Sequence, residues 1–208
     1  MTRGHERAKR AFDLAVTVPV FILTLPIQAA TALAIRVRLG SPVFFRQTRP
    51  GLHAEPFVMV KFRTMLNTDP TLGLVDDATR MTPLGQWLRA TSLDELPTLW
   101  NIIRGDMSLV GPRPLLMRYI ERYSPEQARR HEVRPGMTGL AQVSGRNALN
   151  WEDKFRLDVD YVDHHTFMGD LKIMRDTVRS VAARDGISAV GEATMTEFFG
   201  TDSRRKNA

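Results

Sequence analysis

An uncharged apolar segment of 22 residues, from position 14 to position 35, constrains this 208-residue chain more than any other feature. A run of about 20 apolar residues is long enough to cross a bilayer. The run is too long for the apolar region of a signal peptide, and no small-residue cleavage site separates it from Arg36 and Arg38. The sequence therefore predicts a membrane element at the N-terminus.

Three features argue against a straight span. Basic residues flank both ends of the segment, although positive charge prefers the cytoplasmic side: Arg3, Arg7, Lys9, Arg10, Arg36 and Arg38. Pro19 and Pro26 each remove a backbone hydrogen bond, and Thr24 and Gln28 lie where they can satisfy the freed carbonyls. A helix that enters the membrane, breaks at Pro26 and returns to the same face satisfies all three observations. A buried core helix and a straight span are the alternatives.

Composition narrows the class of partner. The net charge is +6 and the sequence pI is near 10.1, which favours an anionic partner such as a lipid or a phosphate-bearing substrate. Aromatic residues are only 8% and no long basic run exists, so nothing points specifically to nucleic acid. The absence of cysteine excludes thiolate catalysis, zinc–thiolate sites and disulfides.

The remaining chain reads as mainly α with one β-hairpin, an α+β domain. Two extended runs, PVFFRQTR and PFVMVKFRTM, flank a Pro50-Gly51 turn and predict the hairpin. Polar residues 66–81 predict a mobile loop. We expect a membrane element with basic flanks at 1–38, a mainly helical domain at 39–190 and a C-terminal tail at 191–208.

Capping signals place the helices of this domain. Thr82-Pro83 predicts a helix start, and Ser124 with Gln127 forms a capping-box pattern. Apolar residues at helical spacing predict two further helices: Trp151, Phe155, Val159 and Val162, then Leu171, Met174, Val178 and Val181. Asp170 is interpreted as the cap of the last helix. Asp158, Asp160 and Asp163 are interpreted as a solvated helix face.

The adjacent acids Asp94 and Glu95 hold the most specific local signal. Ser92-Leu93-Asp94-Glu95 matches a capping box, which is an ordinary structural pattern. Pro97 shifts that interpretation, because a proline is better tolerated three positions after the cap than five. The sequence therefore predicts a helix over 94–104 that Asp94 caps, with its carboxylate outward beside free amides that can bind phosphate.

Several cations accompany this pair in the sequence: Lys61, Arg63, Arg89, Arg104 and Arg113. A carboxylate needs such charges, or a divalent cation, before it can approach a pyrophosphate. Two adjacent acids suit Mg²⁺, which prefers one or two carboxylates plus substrate oxygens. The five histidines show no metal-ligand spacing.

Six segments together resemble the bacterial sugar transferase family, the monotopic polyprenyl-phosphate phosphoglycosyl transferases: KRAFDLAV, PVFFRQTRPG, FVMVKFRTM, LDELPTLWNIIRGDMSLVGPRP, RPGMTGLAQVSGRN and FRLDVDYV. The match runs from about Lys9 to Ile187. It implies Mg²⁺-dependent transfer of a sugar 1-phosphate from a UDP-sugar to polyprenyl phosphate on the cytoplasmic leaflet, with release of UMP. A re-entrant helix broken at a proline, here Pro26, is also implied, as is a cytoplasmic catalytic domain over 39–190.

The resemblance also implies roles for residues. Asp94 becomes the nucleophile of a covalent phosphosugar intermediate, and Glu95 assists through the metal or a proton. Lys61, Arg63, Arg89 and Arg113 become substrate-binding cations, with Arg113 on a phosphate. Gln142 and Arg146 become donors to the nucleotide or the sugar.

The segment GISAVGEATMTEFFG resembles the tails of small members that act on bacillosamine-type, N-acetylated amino sugars. Three alternatives stay open at this point: a one-step ternary mechanism with one acid as base, a catalytically silent scaffold of a glycan-assembly complex, and a basic nucleic-acid binder. The sequence also leaves open whether the chain works as a homodimer or with other glycan-assembly enzymes.

Overall fold

The structure, a computed structural model, describes residues 3–145, 149–183 and 197–200. Within these ranges the α-helices are α1 Arg3–Arg38, α2 Asp77–Arg80, α3 Pro83–Ala90, α4 Leu99–Arg104, α5 Pro125–Ala128, α6 Leu140–Ser144, α7 Trp151–His164 and α8 Phe167–Ala183. The strands are β1 Phe44–Pro50, β2 Pro56–Phe62, β3 Ser108–Val110 and β4 Gly136–Thr138. Short 3-10 helices cover Leu52–Ala54, Pro70–Leu72, Leu93–Thr98, Met117–Arg122 and Arg129–Glu132. The mainly helical class with small sheets is confirmed.

The predicted hairpin is confirmed. Strands β1 and β2 pair antiparallel, from Phe44 opposite Phe62 to Pro50 opposite Pro56. Strands β3 and β4 form a second, parallel pair that joins Ser108 to Gly136 and Val110 to Thr138. The segment 66–81, predicted as a loop, contains two short helices.

Local capping signals predict most helix starts correctly. The Thr82 side chain accepts a hydrogen bond at the start of α3, and Ser124 and Gln127 form the complete capping box of α5. Asp170 is an exception, because it lies inside α8 rather than before it. Its carboxylate instead accepts hydrogen bonds from the Lys9 ammonium and the Tyr161 hydroxyl.

Helix α1 runs without interruption through Pro19 and Pro26, so the predicted break at Pro26 is not seen. The Thr24 hydroxyl donates to the carbonyls of Val20 and Phe21, which lie one turn earlier. By length and composition α1 is the one helix in the described residues that qualifies as a membrane span. The return of the chain to the same membrane face stays a prediction.

Both ends of α1 contact the same domain. Near its start, the Arg10 guanidinium donates to the carbonyls of Ile102 (2.5 Å) and Ile103 (2.7 Å). Near its end, Ile35 is fully buried against Phe62 and Leu88. These anchors are 25 residues apart, about 38 Å along a helix. Between them most of the helix surface stays exposed, including these large apolar side chains: Val18, Val20, Ile22, Leu23, Leu25, Ile27 and Leu33.

The main core joins β2, α4, β3, α7 and α8. Its buried members are Met59, Leu99, Ile102, Met107, Leu109, Val110, Tyr161 and Ile173. The segment with Asp94 and Glu95 directly precedes α4, and Arg113 follows β3. This core therefore sets the distance between the two acids and Arg113.

The described part of the C-terminal tail, residues 197–200, packs on the domain. Phe198 is buried against Tyr119 and Phe155, and the Glu197 carboxylate pairs with Arg118 and Arg122. The rest of the predicted tail lies outside the described residues, and the predicted domain boundaries stay predictions.

Candidate active site

Hydrogen bonds from Thr98, at the end of the 3-10 helix, and from Asn101 in α4 fix the segment with Asp94 and Glu95 on the hairpin. The Thr98 hydroxyl donates to the Val60 carbonyl at 2.9 Å. The Asn101 side chain donates to the Val58 carbonyl and accepts from the Val60 amide, at 2.7 and 3.1 Å. Both side chains are almost completely buried. Lys61, the next residue on β2, is therefore held beside the acid pair.

The predicted helix over 94–104 is wrong at its start. A 3-10 helix covers Leu93–Thr98, after Ser92 in a left-handed conformation (φ 56°), and α4 begins only at Leu99. Pro97 lies inside this 3-10 helix, and the tighter turn precedes the first full α-helical turn of α4. Asp94 therefore does not cap a helix, and its side chain is buried rather than outward.

Glu95 is held between two cations. Its Oε1 accepts from Lys61 Nζ at 2.5 Å and from Arg113 Nη2 at 2.9 Å. Burial alone would raise the pKa of Glu95, but attraction to Lys61 and Arg113 outweighs it and keeps the pKa well below its usual range. Glu95 is therefore a fixed negative charge at neutral pH.

Asp94 has the opposite environment. It is only 9% exposed, and no hydrogen bond from the described part of the chain reaches its carboxylate. Burial raises its pKa to about 6, and the neighbouring Glu95 charge adds to this, against the attraction of Lys61, Arg89 and Arg113. At neutral pH Asp94 is thus ionised but more basic than an ordinary aspartate.

A close crossing of two chain segments positions Arg113. The parallel pair of β3 and β4 brings Gly111 onto Gly136, where a Cβ on Gly136 would lie 2.1 Å from the Gly111 nitrogen. Pro112 and Pro114 fix the backbone on either side of Arg113. The guanidinium of Arg113 is thereby directed at Glu95.

The arrangement gives the two adjacent acids unequal surroundings. Glu95 is paired twice, whereas the more basic Asp94 is free to react, with three cations close enough to influence its charge. Such a site suits a reaction in which a carboxylate meets an anionic centre such as a phosphate.

A comparison with known protein families identifies the family of this chain. The model of the bacterial sugar transferase family matches residues 4–184, which is most of the chain. This chain belongs to the bacterial sugar transferase family. The recognition made from the sequence motifs is confirmed, and so is the prediction that the chain is an enzyme.

Relatives of this sugar transferase extend the match. It is 50% identical over 194 residues to the uncharacterized sugar transferase EpsL of Bacillus subtilis, covering 93% of this chain and 96% of the relative. It is 42% identical over 190 residues to a UDP-glucose:undecaprenyl-phosphate glucose-1-phosphate transferase of Caulobacter vibrioides (85% and 70%). It is 36% identical over 203 residues to an undecaprenyl-phosphate galactose phosphotransferase of Salmonella typhimurium (88% and 42%).

The other predicted cations divide between the site and the scaffold of the sugar transferase. Arg89 lies near Asp94 and donates from Nε to the Thr64 hydroxyl at 3.1 Å. Arg63 is buried and donates to the carbonyls of Leu39 and Gly40, at the end of α1. The structure therefore brings Lys61, Arg89 and Arg113 to the acids, but not Arg63.

The two predicted polar donors are not part of this cluster. Gln142 lies in α6, and its side-chain amide donates to the Met137 carbonyl at 3.0 Å. Arg146 lies outside the described residues. Their contact with the nucleotide or the sugar stays a prediction.

One buried ion pair was not predicted from the sequence. Asp158, interpreted as part of a solvated face, is 4% exposed and pairs with the equally buried Arg130. The signal was present, because Asp158 follows Phe155 by three residues and precedes Val162 by four, on the apolar face of α7. Arg130 in turn donates to the main-chain carbonyl of Arg113 at 2.7 Å.

The donor set for the predicted Mg²⁺ is small. No group of three or more histidines or acids that could hold a metal ion occurs among the described residues. Among the described residues Asp94 and Glu95 are the carboxylates of this site, which fits a cation that takes one or two carboxylates and completes its shell with water and substrate phosphate.

Proposed function

We propose that this sugar transferase moves a sugar 1-phosphate from a UDP-sugar to polyprenyl phosphate, undecaprenyl phosphate in bacteria, in two steps through Asp94. The products are a polyprenyl-diphosphate sugar and UMP, in the first membrane step of glycoconjugate or polysaccharide assembly. The unequal environments of Asp94 and Glu95 carry this proposal. The names of the relatives support it, because two of them are undecaprenyl-phosphate sugar transferases.

In the first step an Asp94 carboxylate oxygen attacks the β-phosphorus of the UDP-sugar. The bond from that phosphorus to the bridging oxygen breaks, and UMP leaves with the bridging oxygen and its electron pair. In the second step a phosphate oxygen of the polyprenyl phosphate attacks the same phosphorus. The bond to Asp94 then breaks, and the free carboxylate is restored.

The surrounding charges act on the phosphates. Arg113 and Lys61 hold Glu95 as a fixed anion and, with Arg89, offset the negative charge that develops during transfer. The carboxylates of Asp94 and Glu95 would hold a Mg²⁺ ion. When bound, the metal neutralises pyrophosphate charge and orients its oxygens.

Helix α1 seats the enzyme on the membrane. Because both its ends contact one domain, we infer that both ends lie on one side of the bilayer and that the protein is monotopic. The exposed apolar residues of α1 then enter the lipid, and the basic residues at both ends favour the cytoplasmic leaflet of the inner membrane.

Two observations point to different sugars. The C-terminal motif favours an N-acetylated amino sugar such as the diacetylbacillosamine of a UDP donor. The relatives from Caulobacter and Salmonella are named for glucose and galactose. UMP release measured with UDP-diacetylbacillosamine, UDP-glucose and UDP-galactose, with and without polyprenyl phosphate, separates these donors.

Steady-state kinetics test the two-step route. With the active donor, double-reciprocal plots at several polyprenyl phosphate concentrations should give parallel lines. Intersecting lines would show a one-step ternary mechanism instead. No UMP release from any UDP-sugar in the presence of Mg²⁺ would favour a silent scaffold.

Chemical labelling tests the topology, since the chain has no cysteine of its own. Single variants Glu6→Cys and Ser41→Cys flank the apolar part of α1, and Thr71→Cys marks the domain. In spheroplasts all three should react with an impermeant maleimide only after permeabilisation. Labelling of only one of the two flanking cysteines in intact spheroplasts would establish a straight span, and labelling of both would contradict the cytoplasmic location.

A further inference from the structure

A pair of buried charges lies beneath the loop that carries Arg113. Arg130 is 3% exposed and Asp158 is 4% exposed. Arg130 Nη2 and Nε both approach Asp158 Oδ2, at 2.7 and 3.0 Å. Such a pair seldom adds net stability, because apolar residues of similar volume often do as well. Its contacts therefore suggest a role other than stabilising the fold.

Arg130 connects three parts of the chain. Besides Asp158 in α7, its guanidinium donates to the Tyr123 hydroxyl at 3.3 Å and to the Arg113 carbonyl at 2.7 Å. A planar guanidinium can direct several donors at fixed angles, which a lysine ammonium cannot. The two hydrogen bonds to Asp158 fix the orientation of the Arg130 guanidinium. The guanidinium in turn fixes the position of the Arg113 main-chain carbonyl.

The position of that main chain matters for the proposed chemistry. The side chain of Arg113 reaches Glu95 with a single hydrogen bond of 2.9 Å, from Nη2. A displacement of about 1 Å at a catalytic group can cost 100-fold in rate.

We infer that Arg130 and Asp158 form a positioning pair that holds Arg113 in register with Glu95 for phosphosugar transfer. The inference rests on the proposed function for its effect on rate. Its geometric part, that Arg130 orders the Arg113 side chain, stands without it.

The chain provides a matched control one residue away. Arg129 pairs with Asp163 and links the same two elements, the 3-10 helix Arg129–Glu132 and α7. This second pair lies at the surface. Within the described residues the Arg129 guanidinium donates to three acids: Glu126, Glu132 and Asp163. Arg130→Lys and Arg129→Lys are therefore the same change with and without access to Arg113.

The kinetic experiment is a double-mutant cycle with Arg113→Ala. Arg130→Lys should lower kcat about 10- to 100-fold in the wild-type background and less than about 2-fold in the Arg113→Ala background. Arg129→Lys should stay within about 2-fold in both backgrounds. An equal loss from Arg130→Lys in both backgrounds, or no loss in either, overturns the inference.

A spectroscopic measurement separates this inference from the proposed function. The ¹⁵N-labelled guanidinium signals of Arg113 can be assigned by their disappearance in Arg113→Lys. They should shift and broaden in Arg130→Lys and keep their wild-type positions in Arg129→Lys, whether or not the wild type releases UMP. Unchanged Arg113 signals in Arg130→Lys overturn the inference.

If Arg130→Lys does not fold, the double variant Arg130→Gln/Asp158→Asn replaces it in both measurements. This variant removes the two buried charges together, so neither charge is left unpaired. The shorter glutamine also loses the contact with the Arg113 carbonyl. The same shift of the Arg113 signals and the same loss of kcat are expected, and wild-type values for both overturn the inference.

Discussion

Two buried aspartates of this sugar transferase have opposite surroundings. Asp158 accepts two hydrogen bonds from Arg130, whereas the Asp94 carboxylate accepts none from the residues that the structure describes. Both side chains are less than 10% exposed, at 4% and 9%. Burial alone therefore does not distinguish an anchor from a reactive group. The difference is whether a partner already satisfies the charge.

The comparison predicts that removing the two carboxylates has opposite effects on the stability of the fold. Asp158 compensates a buried arginine, so its removal leaves an unpaired cation. Asp94 is a buried anion whose charge is only partly compensated by nearby cations, so its removal stabilises the folded protein. An Asp→Asn change at each position should therefore move activity and stability in different ways.

The largest expected effect is on the rate of the Asp94→Asn variant. An amide oxygen is a poor nucleophile, so UMP release should fall about 10⁴-fold or more. The wild type and Asp94→Asn are compared in the same detergent, with the donor found in the UMP-release screen. Full turnover by Asp94→Asn would remove Asp94 from the chemistry.

The second effect is on the stability of the Asp158→Asn variant. Breaking the buried pair should lower the free energy of unfolding by about 3–5 kcal/mol, since Arg130 loses its counter-charge. The surface variant Asp163→Asn is the matched control, and it should cost at most about 1 kcal/mol. Thermal unfolding of the two variants measures both values, and equal losses would contradict the contrast.

Asp94→Asn should instead stabilise the fold. The pKa of Asp94 is raised from 3.8 to about 6 in the folded protein, so its contribution to stability falls as pH rises through 6. At pH 8 the variant should gain about 1–3 kcal/mol over the wild type, and the gain should vanish below about pH 4. A lower melting temperature for Asp94→Asn at pH 8 would show that Asp94 is compensated after all.

The smallest effect concerns the pH dependence of the rate. Since Asp94 must be ionised to attack, kcat/KM should fall about tenfold per pH unit below about pH 6. Glu95→Gln removes a charge that raises the pKa of Asp94, so this fall should move to lower pH. An unshifted pH profile in Glu95→Gln would show that the charge of Glu95 does not raise the pKa of Asp94.

The sequence predicts what local patterns determine. The hairpin around Pro50-Gly51 and the caps at Thr82 and Ser124 are confirmed because a short turn and neighbouring residues determine them. The start of the helix at Asp94 was predicted wrongly, since Leu93–Thr98 forms a 3-10 helix and α4 begins only at Leu99.

The errors at Asp158 and Asp170 have another origin. The hydrogen-bonding partners Arg130 and Lys9 are 28 and 161 positions away. A local pattern of charges on a helix does not show which of them meet an arginine or a lysine in the folded chain. The candidate acids and cations could be listed from the sequence, but their unequal pairing could not.

The covalent intermediate is the central claim, and intact-mass measurement tests it most directly. After incubation with Mg²⁺ and the active UDP-sugar but without polyprenyl phosphate, wild-type protein should gain the mass of one phosphosugar, mapped to Asp94. Polyprenyl phosphate should then remove the added mass, and Asp94→Asn should never acquire it. An adduct on Glu95, or UMP release in step with product formation and no adduct at any time, would contradict it.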